Sequence, residues 1–147
     1  MQIDGACLCG HVKYKAEIDP GKVTICHCTD CQLSSASAYR FGVPVKKENF
    51  TLLGGKLKFF IKTAESGSKR ALGFCPECGT SIYGCDPIDP KTYSLRLGTA
   101  RQRHELRPAL QIWKRSSLKW ATDLSEVTVH ETQPWRSDPT AQASAPR

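Results

Sequence analysis

No apolar run in this 147-residue chain approaches the roughly 20 residues that a membrane-spanning helix needs. The opening residues Met1-Gln2-Ile3-Asp4-Gly5 have neither a basic segment nor an apolar one. No secretory signal is therefore expected, and a cytoplasmic location is. Acidic residues are short as well: 14 Asp and Glu stand against 21 Lys and Arg, a formal net charge of +7. The imbalance is sharpest over residues 91–120, where Glu105 is the only carboxylate among eight Lys and Arg residues. That stretch reads as a solvated basic face, and it lacks the repeated basic–aromatic interleaving of a single-strand binder. Nucleic acid and membrane are not expected partners. Helix signals are scarce too, and no internal repeat is present.

Cysteine is in excess. Eight cysteines make about 5% of the chain, above ordinary usage but below the density of a small disulfide scaffold. With 39% hydrophobic and 24% charged residues the chain is globular rather than disordered. A cytosolic protein of this size has little use for eight thiols unless they bind something.

Short stretches with strand character, bounded by Gly, Pro or Asp, fall at residues 11–16, 37–45, 57–63, 70–74, 80–84 and 93–97. In the second of these Tyr39, Phe41 and Val43 share one face. This spacing predicts an all-β folded sheet or sandwich with few short helices. One helical turn is expected over residues 29–35, with Thr29 as its N-cap. Residues 48–53 are ambiguous. The domain is expected to span residues 1–132. Residues 133–147, rich in Pro, Ser, Thr and Ala, are expected to form a flexible tail.

Seven cysteines fall into three clusters: Cys7-Leu8-Cys9, Cys26-His27-Cys28-Thr29-Asp30-Cys31 and Cys75-Pro76-Glu77-Cys78. Such spacings are a metal-ligand signature. Cys75 and Cys78 bracket a tight turn, and Gly79 beyond them can take the positive φ that such a knuckle needs. Tetrahedral zinc wants two more thiolates, which Cys7 and Cys9 can supply. Cys26, Cys28 and Cys31 then remain as a three-thiolate set with an open position, the arrangement of a catalytic or ligand-binding zinc. His27, between two ligands in extended chain, should point away from them as a supporting group. Cys85 is either a buried small hydrophobe or a fourth ligand to the second set. Two purely structural zincs, an iron site or disulfides are the competing readings of these cysteines.

The three clusters, in their contexts Gly5-Ala6-Cys7-Leu8-Cys9-Gly10, Cys26 to Cys31 and Gly73-Phe74-Cys75-Pro76-Glu77-Cys78-Gly79-Thr80, resemble the glutathione-dependent formaldehyde-activating enzyme family, which includes centromere-protein-V-like proteins. The resemblance extends from about Gly5 to Trp120. It implies an Mss4-like folded sheet, a structural zinc on Cys7, Cys9, Cys75 and Cys78, and an exchangeable active-site zinc on Cys26, Cys28 and Cys31. Three positions depart from the family's habit: Gln32 follows Cys31, Ser35-Ala36-Ser37 replaces a Ser-Gly-Ser stretch, and Gln111 precedes Ile112-Trp113.

The expected activity is that of a zinc-dependent carbon–sulfur lyase acting on the adduct of a small aldehyde with a thiol such as glutathione. A non-catalytic, zinc-stabilised thiol-binding or protein-interaction module is the alternative, marked by closure of the central zinc's fourth position. Sequence alone names no general base, although His27, Asp30, Ser34, Ser35 and Ser37 are near in sequence. Arg96, Arg101 and Arg103 are candidates to hold substrate carboxylates.

Overall fold

A computed structural model of the chain describes residues 1–133. All of the expected tail but its first residue lies outside the described residues. In chain order the strands are β1 (Gln2–Ala6), β2 (Lys13–Glu17), β3 (Thr24–Cys26), β4 (Arg40–Lys46), β5 (Phe50–Gly54), β6 (Lys58–Thr63), β7 (Lys69–Phe74), β8 (Ser81–Cys85), β9 (Thr92–Arg96) and β10 (Leu110–Ile112). One α-helix, α1 (Thr29–Ser35), lies between β3 and β4, and short 3-10 turns fill several of the connections. No helix among the described residues is long and apolar enough to cross a membrane. The expected all-β architecture is what the chain adopts.

Two sheets form. One has the order β1-β2-β5 and the other β10-β3-β4-β9-β8-β7-β6. Every pairing is antiparallel except β10 on β3. Strand alternation divides the larger sheet into two faces with different tasks. Val43 and Val45 of β4, Ile82 of β8 and Leu95 of β9 face the core together with Tyr14 and Ala16 of β2. Tyr14 stacks on Phe50 at 5.5 Å and bonds Thr99 Oγ1 at 2.9 Å. Gly5 stands opposite Tyr14 in the β1–β2 register, and a Cβ there would lie 2.4 Å from the tyrosine hydroxyl. The ring's depth therefore requires glycine at that position.

Several expectations move. Thr29 is the first helical residue rather than the cap; Cys28, in extended conformation at φ −63° and ψ 149°, occupies the N-cap with no side-chain capping bond. The strand expected from residue 37 begins at Arg40, because α1 ends at Ala36 in the left-handed region (φ 47°) and the chain must still turn. Residues 48–53 divide between a 3-10 turn, Lys47–Asn49, and β5. The strands β1, β3 and β10 had no clear sequence signal. The two latter are three residues each, below the length at which alternation is readable.

Candidate metal and thiol site

Two groups of sulfurs converge. Cys7, Cys9, Cys75 and Cys78 form one, Cys26, Cys28 and Cys31 the other; within each, the sulfur atoms lie within 4.8 Å of one another. Each group can hold a metal ion. The structure thus brings all seven expected residues together in the expected partition.

The four-sulfur group joins the β1–β2 turn to the β7–β8 turn, and so ties the small sheet to the large one. Cys7 and Cys9 sulfurs are 3.5 Å apart, and Cys9 and Cys75 sulfurs 3.8 Å. The knuckle over residues 75–80 closes by Gly79 N–H donating to the Cys75 carbonyl at 2.9 Å, with Gly79 at φ 71°. A hydrogen bond from the Thr80 hydroxyl, at 3.1 Å, heads the contacts that hold the free Cys78 thiol down at about 5. Cys9 goes the other way: the His11 N–H favours its thiolate, but the neighbouring Cys7 and Cys78 sulfurs push it up to about 12. Protons and charge are therefore unequally shared among these thiols before any ion binds.

The three-sulfur group is built locally. Cys26 ends β3, Cys28 caps α1 and Cys31 sits in its first turn. In extended chain residues two apart share a side, and on a helix residues three apart do. His27 points away, as expected. It is wholly buried, its Nε2 bonds Gln111 Oε1 at 3.2 Å, and its ring meets Tyr39 edge-on. The two glutamines that depart from the family's habit are both used here. Gln32 Nε2 donates to the His27 carbonyl at 2.7 Å and to the Ser116 carbonyl at 2.8 Å, fastening α1 to the late chain. Ser35 Oγ donates to the Cys31 carbonyl at 2.6 Å and Ser34 Oγ to the same atom at 3.4 Å, so both hydroxyls serve the helix backbone.

Arg40, which sequence reasoning did not single out, donates from Nε to Cys31 Sγ at 3.3 Å. It lies opposite Cys26 in the β3–β4 register, a relation that only the strand pairing creates. The hydrogen bond with Cys26, and after it the Arg40 charge, hold the free Cys31 thiol down at about 5; the same Cys31 contact and burial push Cys26 up. Of the three arginines proposed for substrate, only Arg96 faces this site. Arg101 pairs with Asp4 at 2.6 Å, and Arg103 donates to the Ala100 carbonyl.

The trio opens on a cavity of about 760 Å³. The second face of the large sheet is its floor, with Arg40, Pro44, Ser94, Arg96, Leu72 and Lys62 in registered rows. One wall is α1, another the β6–β7 turn over residues 63–66, and the third Ile112, Trp113 and Ser116. Asp30 pairs with Lys62 across one rim, and Arg115, lying over the Trp113 ring, reaches Glu65 at 3.0 Å across another. Cys85 borders the cavity but is no fourth sulfur to the trio. Strand alternation sets it against Ala71 and Tyr93 on the core side, where burial pushes its thiol up.

The chain is 28% identical over 82 residues to an uncharacterized lyase of Schizosaccharomyces pombe, a match covering 56% of each protein. The chain thus spans little more than half the length of that relative. The crystal structure of a Rhodobacter sphaeroides protein, a structural-genomics target, superposes with a TM-score of 0.57 at 16% identity. That superposition covers 76% of this chain and 99% of the other, and it speaks for the fold alone. The family described as glutathione-dependent formaldehyde-activating enzyme matches residues 2–116, which include both sulfur groups and the whole cavity floor. The chain belongs to the glutathione-dependent formaldehyde-activating enzyme family.

Proposed function

We propose that the protein is a zinc-dependent carbon–sulfur lyase acting on the adduct of a glutathione-like thiol with a small aldehyde. The observation that carries this reading is the three-sulfur group, which has no fourth protein ligand among the described residues and opens on a cavity of about 760 Å³. A structural module with its central site closed by Cys85 would look different, since the Cys85 side chain packs on the other face of the sheet.

Zinc suits both donor sets. Tetrahedral zinc with Zn–S bonds of about 2.3 Å spaces its sulfurs about 3.8 Å apart. The four-sulfur group has this spacing at Cys9–Cys75, 3.8 Å, and nearly so at Cys7–Cys9, 3.5 Å. At the three-sulfur site zinc would supply a Lewis acid and a seat for one further thiolate. Three anionic sulfurs make an ion a weaker acid than three imidazoles would, which favours thiol exchange over hydroxide generation. The contact with Cys26, and after it the Arg40 guanidinium, favour the thiolate form of Cys31 that a metal ion needs. The cavity floor would face the rest of the ligand, with Trp113 and α1 as walls on two sides. In the lyase direction a hydroxymethyl thioether loses its hydroxyl proton, the carbon–sulfur bond breaks with its electrons passing to sulfur, the thiolate takes up a proton, and formaldehyde and free thiol leave.

The test is metal content with glutathione binding, measured on the wild type and on Cys28→Ala. The wild type should hold two zinc ions and bind the thiol. Cys28→Ala should keep one tightly bound zinc and lose thiol binding by at least about tenfold. Equal thiol binding by the two proteins would remove Cys28 from the site and the reading with it.

A further inference from the structure

Leu33 of α1 and Phe60 of β6 leave 77% and 61% of their surface in solvent. Scattered singly, such side chains need no explanation, but these two converge. Both line a second cleft, of about 400 Å³, together with the half-buried Leu72 and Phe74 of β7. The β6–β7 register sets Phe60 opposite Leu72 and Lys58 opposite Phe74, so the apolar residues of both strands share one face of the sheet. β6 is the outermost strand, and the cleft lies at that edge.

The cleft continues the larger cavity. Asp30, Lys62, Thr63 and Leu72 border both. Leu72 leans toward the cavity side, where a Cβ on Gly84 would lie 3.2 Å from its Cδ2. The other wall is α1: Asp30, Leu33 and Ser34, at i, i+3 and i+4, share the helix face that borders the cleft. Cys31, the next residue after Asp30, belongs to the trio, so the passage begins one residue from a sulfur that can hold the ion. At the passage Asp30 and Lys62 pair with each other, and the cleft therefore presents no free charge. Its remaining polar side chains are the hydroxyls of Ser34, Thr63 and Ser81, and Ser34 already donates to the Cys31 carbonyl.

We infer that this cleft seats an alkyl chain on the aldehyde carbon, and that the adducts this chain takes are those of short-chain alkyl aldehydes rather than of formaldehyde alone. The inference rests on the thiol-adduct reading above. The remainder of a glutathione-like thiol is charged and rich in amides, and an apolar cleft without free charge gives such groups no partner. The substituent on the aldehyde carbon is then the part of the adduct that matches Leu33, Phe60, Leu72 and Phe74. Formaldehyde carries no such substituent and would leave these side chains in water. The chemistry is otherwise the same: the hydroxyl proton leaves, the carbon–sulfur bond breaks with its electrons passing to sulfur, and the thiolate takes up a proton. The alkyl aldehyde departs in the place of formaldehyde. Each methylene taken fully out of water is worth about fourfold in affinity, and less in a cleft open on one side.

Calorimetric titration of the full, zinc-loaded chain tests this with S-methylglutathione and S-hexylglutathione, stable thioethers that stand in for the adducts of a one-carbon and a six-carbon aldehyde. The wild type should bind the hexyl compound about tenfold more tightly than the methyl compound. Leu33→Ser, at an exposed position, should bring that ratio down to about threefold or less. Ser34→Phe adds apolar surface but fills the cleft, and it should lower the ratio too; a rise would mean unspecific adhesion and overturn the inference. Equal binding of the two compounds to the wild type would also overturn it, as would a ratio that both variants leave unchanged, and the thiol site would still stand. Self-association of the chain that Leu33→Ser abolishes would give the cleft to a second copy and sink the inference as well. Failure of glutathione and both thioethers to bind would overturn the thiol-adduct reading itself.

Discussion

At the Cys31 sulfur, a hydrogen bond with Cys26 and the Arg40 guanidinium act together, and the result is an uneven trio in which Cys26 keeps a proton and Cys31 the charge. A thiol whose pKa is lowered to about 5 remains thiolate as pH falls, and loses that charge, with the stabilisation it brings, only through pH 5. With the central ion removed by mild chelation, iodoacetamide at pH 6 should therefore modify Cys31 well before Cys26. Arg40→Gln should raise the midpoint of that reaction and slow it severalfold at pH 6, as followed by peptide mass spectrometry. Equal labelling of Cys26 and Cys31 would contradict this. The cysteines were legible in the sequence because their spacing encodes the site locally. Arg40 was not, since what matters about it is its partner across β3–β4, and a single sequence does not state strand pairing.

The helix that carries Cys31 is seven residues long and ends on Ala36 in the left-handed region, at φ 47°. An L-residue with a Cβ is strained there and glycine is not. Ala36→Gly should raise thermal stability by about 0.5–1 kcal/mol, read as an upward shift of the melting midpoint; a fall would show that α1 does not hold this cap in solution. The helix start has its own logic. Cys28 takes the N-cap with its sulfur uncommitted to the backbone, so the side chain stays available to an ion. A Thr29 cap, which propensity favours, would have shifted the helix by one residue. Strands with clear alternation, such as those around Phe41, Val43 and Val45, were readable from the sequence. Residues 110–112 were not, for β10 is fully exposed in pattern and is a strand only because β3 lies parallel beside it.

For the molecule as a whole the two sulfur groups differ in what they hold together. The four-sulfur group joins two sheets, whereas the trio lies within one short segment. With the proposed zinc bound there, Cys78→Ser should lower stability by several kcal/mol and cost the cooperative unfolding transition, because ion binding would be part of the folding free energy. Cys28→Ser should leave the transition nearly in place; circular dichroism melts of the two variants decide between this and equal effects. The same difference has a kinetic side. Cys9 and Cys75 are 66 positions apart, while the trio closes within one strand end and one helical turn. Closing a long loop costs more entropy than closing a short one. In a chain still emerging or still unfolded, the trio is thus the better chelator, and Cys75 and Cys78 do not yet stand beside Cys7 and Cys9. In the proposed two-zinc protein the order in which the ions arrive would then be the reverse of the order in which the fold depends on them: the trio would be charged first, and the clasp between the sheets would shut last.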